Sequence, residues 1–405
     1  MVLGIVAEYN PFHNGHIYHI LKSKEEAKAD TIVAVIGGNF TQRGEASIVD
    51  KWTKAEMAIA NGADLVIELP LLYSISSAEN FADGAIKILN SLKVVDSVSF
   101  GTETESLNKL NIIANVLNEE PKEYKEYLEI FLKKGNSFPK AREEAIVKYL
   151  NDKSLRTILS EPNNILGIEY LKALKRLKSK IKPFCIKRKG TGHLANNYTG
   201  EIANATSIRN MINTGKIKDV KKLMTPASYT ILVDEIKNGH YVPDIRVFEN
   251  IMIYNLRNMN IEEISNLPDV SEGLEHVIKK AANECNTIDE FINMVISKRY
   301  TETRIKRILL YSLLKITKKD MAISKKVNPY IRVLGATEKG KKLISKISKE
   351  NPKLKIITSV KKFMDSNLDK HLKIMIEKDI QATNVYTLGF EKDSYGNLDF
   401  TKRIK

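Results

Sequence analysis

The first two hundred residues alternate between short, almost wholly apolar runs and longer stretches in which apolar positions recur every three or four residues. The runs "LGIVAEYN", "DTIVAVIGG", "ADLVIELP" and "VDSVSFGTE" read as strands, and "KPFCIKRKG" as a fifth. Between them "HIYHILKSKEEAKA", "KWTKAEMAIANG" and "SAENFADGAIKILNSL" read as helices, with a longer helical stretch over residues 105–180. Continuous apolar strands, each followed by a helix, predict a parallel sheet covered on both faces and hence an α/β fold. From about residue 215 the pattern changes. "KKLMTPASYTILVDEI", "RVFENIMIYNLRNM", "SEGLEHVIKKAANEC", "TIDEFINMVISKRY" and "TETRIKRILLYSLLKIT" are amphipathic at helical spacing and predict a mainly α-helical part. The tail is expected to return to short strands near "YIRVLGAT" and "LKIITSV". A boundary at 215–225 divides the chain into residues 1–220 and 221–405.

Composition narrows the class. At 43% hydrophobic and 28% charged over 405 residues, the chain has the make-up of a soluble protein of two or three domains. No apolar run reaches the roughly 18 residues that a membrane span needs, and the start carries no export signal. Cys185 and Cys285 are too few and too far apart for a disulfide framework, so a reducing cytoplasm is the expected location. Lys and Arg number 64 against 49 Asp and Glu, a net charge of +15. That excess favours a polyanionic partner, nucleic acid above all, although a lysine-rich, well-solvated surface gives the same total.

The candidate chemistry lies just past the first strand. In "EYNPFHNGHIYH", His13, His16 and His19 are spaced by three in a chain with seven histidines. Loops beyond the carboxyl ends of parallel strands are where such sheets bind ligands. Gly15 permits close backbone approach, and the free N–H groups of a starting helix attract phosphate. His13 and His16 can face the same way and add directed donors, an arrangement suited to in-line attack on a nucleoside triphosphate. No GxxxxGK[ST] loop and no nucleophile-elbow serine occurs, and no acidic cluster accompanies the histidines to make a metal site.

Taken with "NFTQRGEASIVDKWTKAEMAIANGADLVIELP", "SFGTE", "EPNNILGIEYLKAL" and "ATSIRN" in this order, the HNGH text resembles the bacterial tRNA(Met) cytidine acetate ligase family, within the HxGH nucleotidylyl-transferase superfamily. The match runs through essentially the whole chain. The resemblance implies a Rossmann-like nucleotidyltransferase domain followed by a basic, mainly helical tRNA-binding domain. It implies an enzyme that uses ATP and acetate to form acetyl-adenylate and then acetylates the wobble cytidine of elongator tRNA(Met), with Mg²⁺ expected beside the phosphates. The ATP-binding loop would comprise Val6, Ala7, Glu8, Tyr9, Asn10, Pro11, Phe12, His13, Asn14, Gly15, His16, Ile17, Tyr18 and His19, with His13 and His16 catalytic. Gly101, Asn163 and Arg188 would be further ATP contacts. Asn163 and Asn164 also suit an N-cap, and Gly101 an ordinary turn. Ser207 and Arg209 of "ATSIRN" resemble a second phosphate motif, in which Ser207 and neighbouring N–H groups can cap a helix or hold an anion, one geometry serving both.

In the last amphipathic stretch Ile305, Ile308, Leu309, Leu313 and Ile316 make an apolar face. Arg304, Arg307, Tyr311 and Lys315 make a basic stripe with one aromatic, expected to meet tRNA or else to be a solvated face. Gln42, Arg43, Asp50, Lys51 and Trp52 have three readings, as acetate pocket, tRNA contact or packing. Two rival functions remain from the residues. A small-molecule adenylyltransferase of cofactor biosynthesis shares HxGH but has no use for a basic helical domain. A non-catalytic RNA-binding protein with a nucleotide fold would bind tRNA without acetylating it.

Overall fold

In the computed structural model, which describes residues 1–188, 202–271 and 273–404, seven strands form one sheet in the order β5-β4-β1-β2-β3-β6-β7. They are β1 (Val2–Ala7), β2 (Thr31–Gly37), β3 (Leu65–Leu69), β4 (Ser97–Thr102), β5 (Lys182–Lys187), β6 (Ile331–Ala336) and β7 (Ile356–Ile357). β1 to β5 are parallel, as their two-sided apolar sequences predict. Lys189, Gly190 and Glu272, which fall within expected elements, lie outside the described residues.

β1, β2 and β3 feed both cores by alternation. Leu3, Ile5, Ala34, Ile36 and Val66 pack on one face with α1 (Asn14–Ala27) and α2 (Lys51–Ala60). Val2, Val33, Val35, Leu65, Ile67 and Val98 pack on the other with the Ala78–Ser91 and Pro162–Arg176 helices. The chain lays down β1, β2 and β3 in one direction, then returns to the far side of β1 for β4 and β5. That reversal leaves a crevice between the carboxyl ends of β1 and β4, the place where such sheets take ligands.

The helical stretch follows its capping signals. Thr225 accepts from the Ser228 N–H with Pro226 at the first helical position, and Gly239 closes the Pro226–Asn238 helix in a left-handed turn. The Glu249–Asn258, Leu274–Glu284, Ile288–Val295 and Glu302–Leu313 helices add Met252, Ile278, Phe291 and Ile308 to the same core as the Ala78–Ser91 helix. The tail then rejoins the sheet where its apolar runs predicted strands. β6 pairs antiparallel with β3, with Glu68 opposite Arg332, and β7 pairs with β6. The sheet therefore draws strands from both sides of residue 220.

Among the described residues no helix is long and apolar enough to cross a membrane.

Candidate active site

The end of β1 leads into α1 through a turn at Asn10–Pro11, and Tyr9 sits in the left-handed region at φ 50°. His13 is the N-cap of α1, and the cap is reciprocal. His13 Nδ1 accepts from the Gly15 N–H at 3.0 Å, while the His13 N–H donates to His16 Nδ1 at 3.1 Å. An imidazole nitrogen that accepts carries no proton, so each ring's proton is placed on Nε2. The two rings stack with centroids 3.8 Å apart, and Tyr9 and Phe12 pack against His16. Gly15 is required here because a Cβ would lie 2.9 Å from His13 Cε1.

Both rings are held neutral. Burial pushes His13 down to about 3, helped by the charges of Arg188 and Arg209. Burial also takes His16 well below its ordinary value, with His13 and Arg188 adding to the effect. His19 does not join the stack. Its Nε2 lies 3.0 Å from Ser99 Oγ on β4, tying α1 across the crevice, and burial lowers it to about 4. Ile17 enters the core beneath α1.

The remaining expected contacts converge on this crevice by different routes. Gly101 on β4 faces the stem of Arg188, whose Cγ lies 3.2 Å from where a Cβ would be. The Arg188 N–H donates to Thr102 O at 2.8 Å, at the carboxyl ends of β4 and β5. Neither Asn163 nor Asn164 is the helix cap, which corrects that alternative. Pro162, with its fixed φ, starts the helix one residue earlier, and Glu161 takes the cap position. Asn164 is buried and accepts from the Glu103 and Thr104 N–H groups, while the Asn163 amide donates to the Glu103 carboxylate.

In "ATSIRN" the cap is Asn204, whose side chain accepts from the Ser207 N–H at 2.8 Å. Ser207 itself is exposed and caps nothing, since the chain becomes helical at Ala205, ahead of it. Arg209 reaches back to the histidine loop, donating to Asn10 O at 2.9 Å and pairing with Glu45 at 2.6 Å.

The "TQRGEASIVDKW" loop resolves into separate roles. The Gln42 N–H donates to Glu8 at 2.7 Å, and burial raises the Glu8 carboxyl above its ordinary value. Arg43 is exposed and close enough to act on Glu8 and Arg188. Asp50 caps α2 by accepting from the Thr53 N–H. Lys51 and Trp52 pack rather than line a pocket. Lys51 is 1% exposed and pairs with Glu68 at 2.8 Å and Asp399 at 2.9 Å, and the Trp52 ring lies beside Lys51 and Arg332. Glu45, Glu103 and Lys54 had no sequence signal, because their partners are set by the fold. Lys54, fully buried, donates to Gly37 O, Gly38 O and Ser47 Oγ and so holds the loop after β2.

The basic stripe is not an exposed face. Arg307 and Tyr311 are buried, with Arg307 Nε 2.8 Å from Asp269 Oδ2 and the Tyr311 hydroxyl donating to Ile75 O at 2.9 Å. Arg304, half-buried, donates to Asp269 O and covers the Tyr300 ring. Only Lys315, just past the helix end, is exposed. The correction has a plain cause: both faces of this helix are covered by neighbours, so its polar side chains become internal ties.

Comparison with known proteins gives the family and the fold. The family model described as HIGH Nucleotidyl Transferase matches residues 1–399. The tRNA(Met) cytidine acetate ligase of Caldanaerobacter subterraneus subsp. tengcongensis is 48% identical over 398 residues, covering 98% of each chain. Its counterpart in Thermoanaerobacter sp. (strain X514) is 46% identical over 399 residues, again 98% of each. The crystal structure of Thermotoga maritima TmcAL bound with alpha-thio ATP is 35% identical with a TM-score of 0.93, covering all of this chain and 98% of that one.

Proposed function

We propose, from the premise that this chain belongs to the HIGH nucleotidyl transferase family and within it to the tRNA(Met) cytidine acetate ligases, that it activates acetate with ATP and acetylates the wobble cytidine of elongator tRNA(Met). The observation that carries this reading is the reciprocal cap at the start of α1, which fixes two neutral imidazoles as Nε2–H donors at the positive end of the helix. Such donors stabilise charge growing on a phosphate oxygen without carrying a proton that must first be lost.

In the first step an acetate oxygen bonds to the α-phosphorus and the bond to the β-phosphate oxygen breaks. The negative charge moves onto pyrophosphate, where His13 and His16 would meet it at the positive end of α1, with Arg188 and Arg209 adding positive potential. Mg²⁺ bound to the triphosphate would neutralise part of its charge. Such an ion would take most ligands from phosphate oxygens and water; the one carboxylate of the loop, Glu8, already accepts from the Gln42 N–H. In the second step the cytidine exocyclic nitrogen attacks the acetyl carbon, AMP leaves and the nitrogen loses a proton. That amine is a weak nucleophile because its lone pair is delocalised into the ring, and a mixed anhydride compensates as a strong acyl donor. The base lies in a loop and is cheap to unstack.

Both cysteines are free thiols, in keeping with a cytoplasmic location. The test is pyrophosphate release from ATP with acetate alone, followed by mass spectrometry of tRNA for one added acetyl group. His16→Ala is expected to abolish the first and leave tRNA affinity largely intact. An unchanged rate would overturn the site assignment, and no release from the unaltered protein would overturn the reading.

A further inference from the structure

The chain's positive charge is not spread evenly. Residues 315–378 hold 18 Lys and Arg against 6 Asp and Glu, a net of +12 out of the chain's +15. The helical stretch 221–314, which contains the Arg304–Lys315 stripe almost entirely, holds 12 against 13. A uniformly lysine-rich surface would not divide this way.

The fold concentrates part of that charge in one groove of about 580 Å³. Its walls are the end of the Ala78–Ser91 helix, the segments leading into β6 and β7, and the start of the Lys370–Tyr386 helix. Lys93, Lys326, Lys353 and Lys355 line it. All four are exposed, and none makes an ion pair among the described residues. A fifth lysine, Lys87, is tied to Asp83 at 2.8 Å. Asp369 is the one carboxylate in the lining, and it is occupied capping the Lys370–Tyr386 helix through the His371 and Leu372 N–H groups. Asn90 and Asn328 add amides between the cations.

Unpaired lysines have only solvent to offset their mutual repulsion. A polyanion laid along them relieves it and releases its own counterions. We propose that this groove, rather than the Glu302–Leu313 helix, grips the phosphate backbone of the tRNA. The inference rests on the tRNA reading above and assigns it a surface. The groove holds the backbone and carries no sequence information. Base recognition belongs elsewhere on the molecule.

The experiment replaces Lys93, Lys326, Lys353 and Lys355 together by Gln in the full-length protein and measures tRNA affinity across a salt series. A charge-matched control replaces Lys122, Lys125 and Lys133, exposed on the Lys122–Lys133 helix, and Lys134, which follows it. The groove variant is expected to bind at least tenfold more weakly at low salt. Its slope of log affinity against log salt should fall by about 3, at about 0.7–0.9 per lost phosphate contact. Acetate-dependent pyrophosphate release should be unchanged in it, and the control should bind tRNA like the parent. An unchanged slope, or an equal loss in the control, overturns the assignment. If the parent itself neither bound tRNA nor acetylated it, the functional reading would fall instead.

Discussion

His13 does two jobs with one ring. Nδ1 completes the α1 cap while Nε2 is free to donate, so the two roles separate by substitution. His13→Asn keeps a capping oxygen and removes the outward donor. Pyrophosphate release is expected to fall by about 10²–10³-fold, while the melting temperature hardly moves. The neutral histidines also set an acid limit. His13 and His19 are held at about 3 and about 4, below the ordinary value near 6.5. As pH falls below about 6.5 the unfolded chain takes up protons that the folded chain refuses, so stability drains between about pH 6.5 and 3, the His19 share being lost by about pH 4. Urea denaturation across that range should show the loss, and His13→Asn should make it shallower. The HNGH spacing made this site legible, because both members of the cap lie within four residues of each other. Arg209 on Asn10 and Glu103 on Asn163 were not legible, since their partners lie 199 and 60 positions away.

The loop after β2 acts as a clasp between elements. Gln42 holds Glu8 at the end of β1, Glu45 holds Arg209, and Gly44 presses onto the backbone of the Glu302–Leu313 helix. Gly44 has φ +77°, and a Cβ there would lie 2.6 Å from the Lys306 carbonyl carbon. Gly44→Ala therefore combines a left-handed backbone with a clash against main chain, and is expected to cost about 2–4 kcal/mol in urea denaturation. A cost near zero would show that the helix docks without this contact. The elements themselves were readable from period and caps, because β1 to β3 are buried on both faces and read as almost unbroken apolar runs. The stripe on the Glu302–Leu313 helix misled for the opposite reason. Periodicity separates polar from apolar faces, but it does not tell whether a polar face meets water or, as with Arg307, a carboxylate of the same chain.

At the scale of the molecule, the tail is bound to the sheet by charge buried in the interior. Lys51 and Arg332 share Glu68 and Asp399, all four nearly inaccessible to solvent. Burial alone would push the Asp399 carboxyl up, but Lys51 and Arg332 more than offset this and hold it below its ordinary value. Asp399→Ala leaves two interior cations with one carboxylate. It is expected to destabilise the protein by about 3–5 kcal/mol in urea denaturation; a loss under about 1 kcal/mol would mean that water reaches the cluster. No local pattern announces this tie, because Lys51 and Asp399 stand at opposite ends of the chain. Its consequence reaches back to synthesis. When the ribosome has made the histidine loop and the first five strands, the open side of β3 still lacks β6, and Lys51 still lacks its last counter-charge. A nascent chain stalled before residue 331 should remain open to protease, and ribosome-release assays should find resistance only once the final helix, Leu398–Thr401, has emerged.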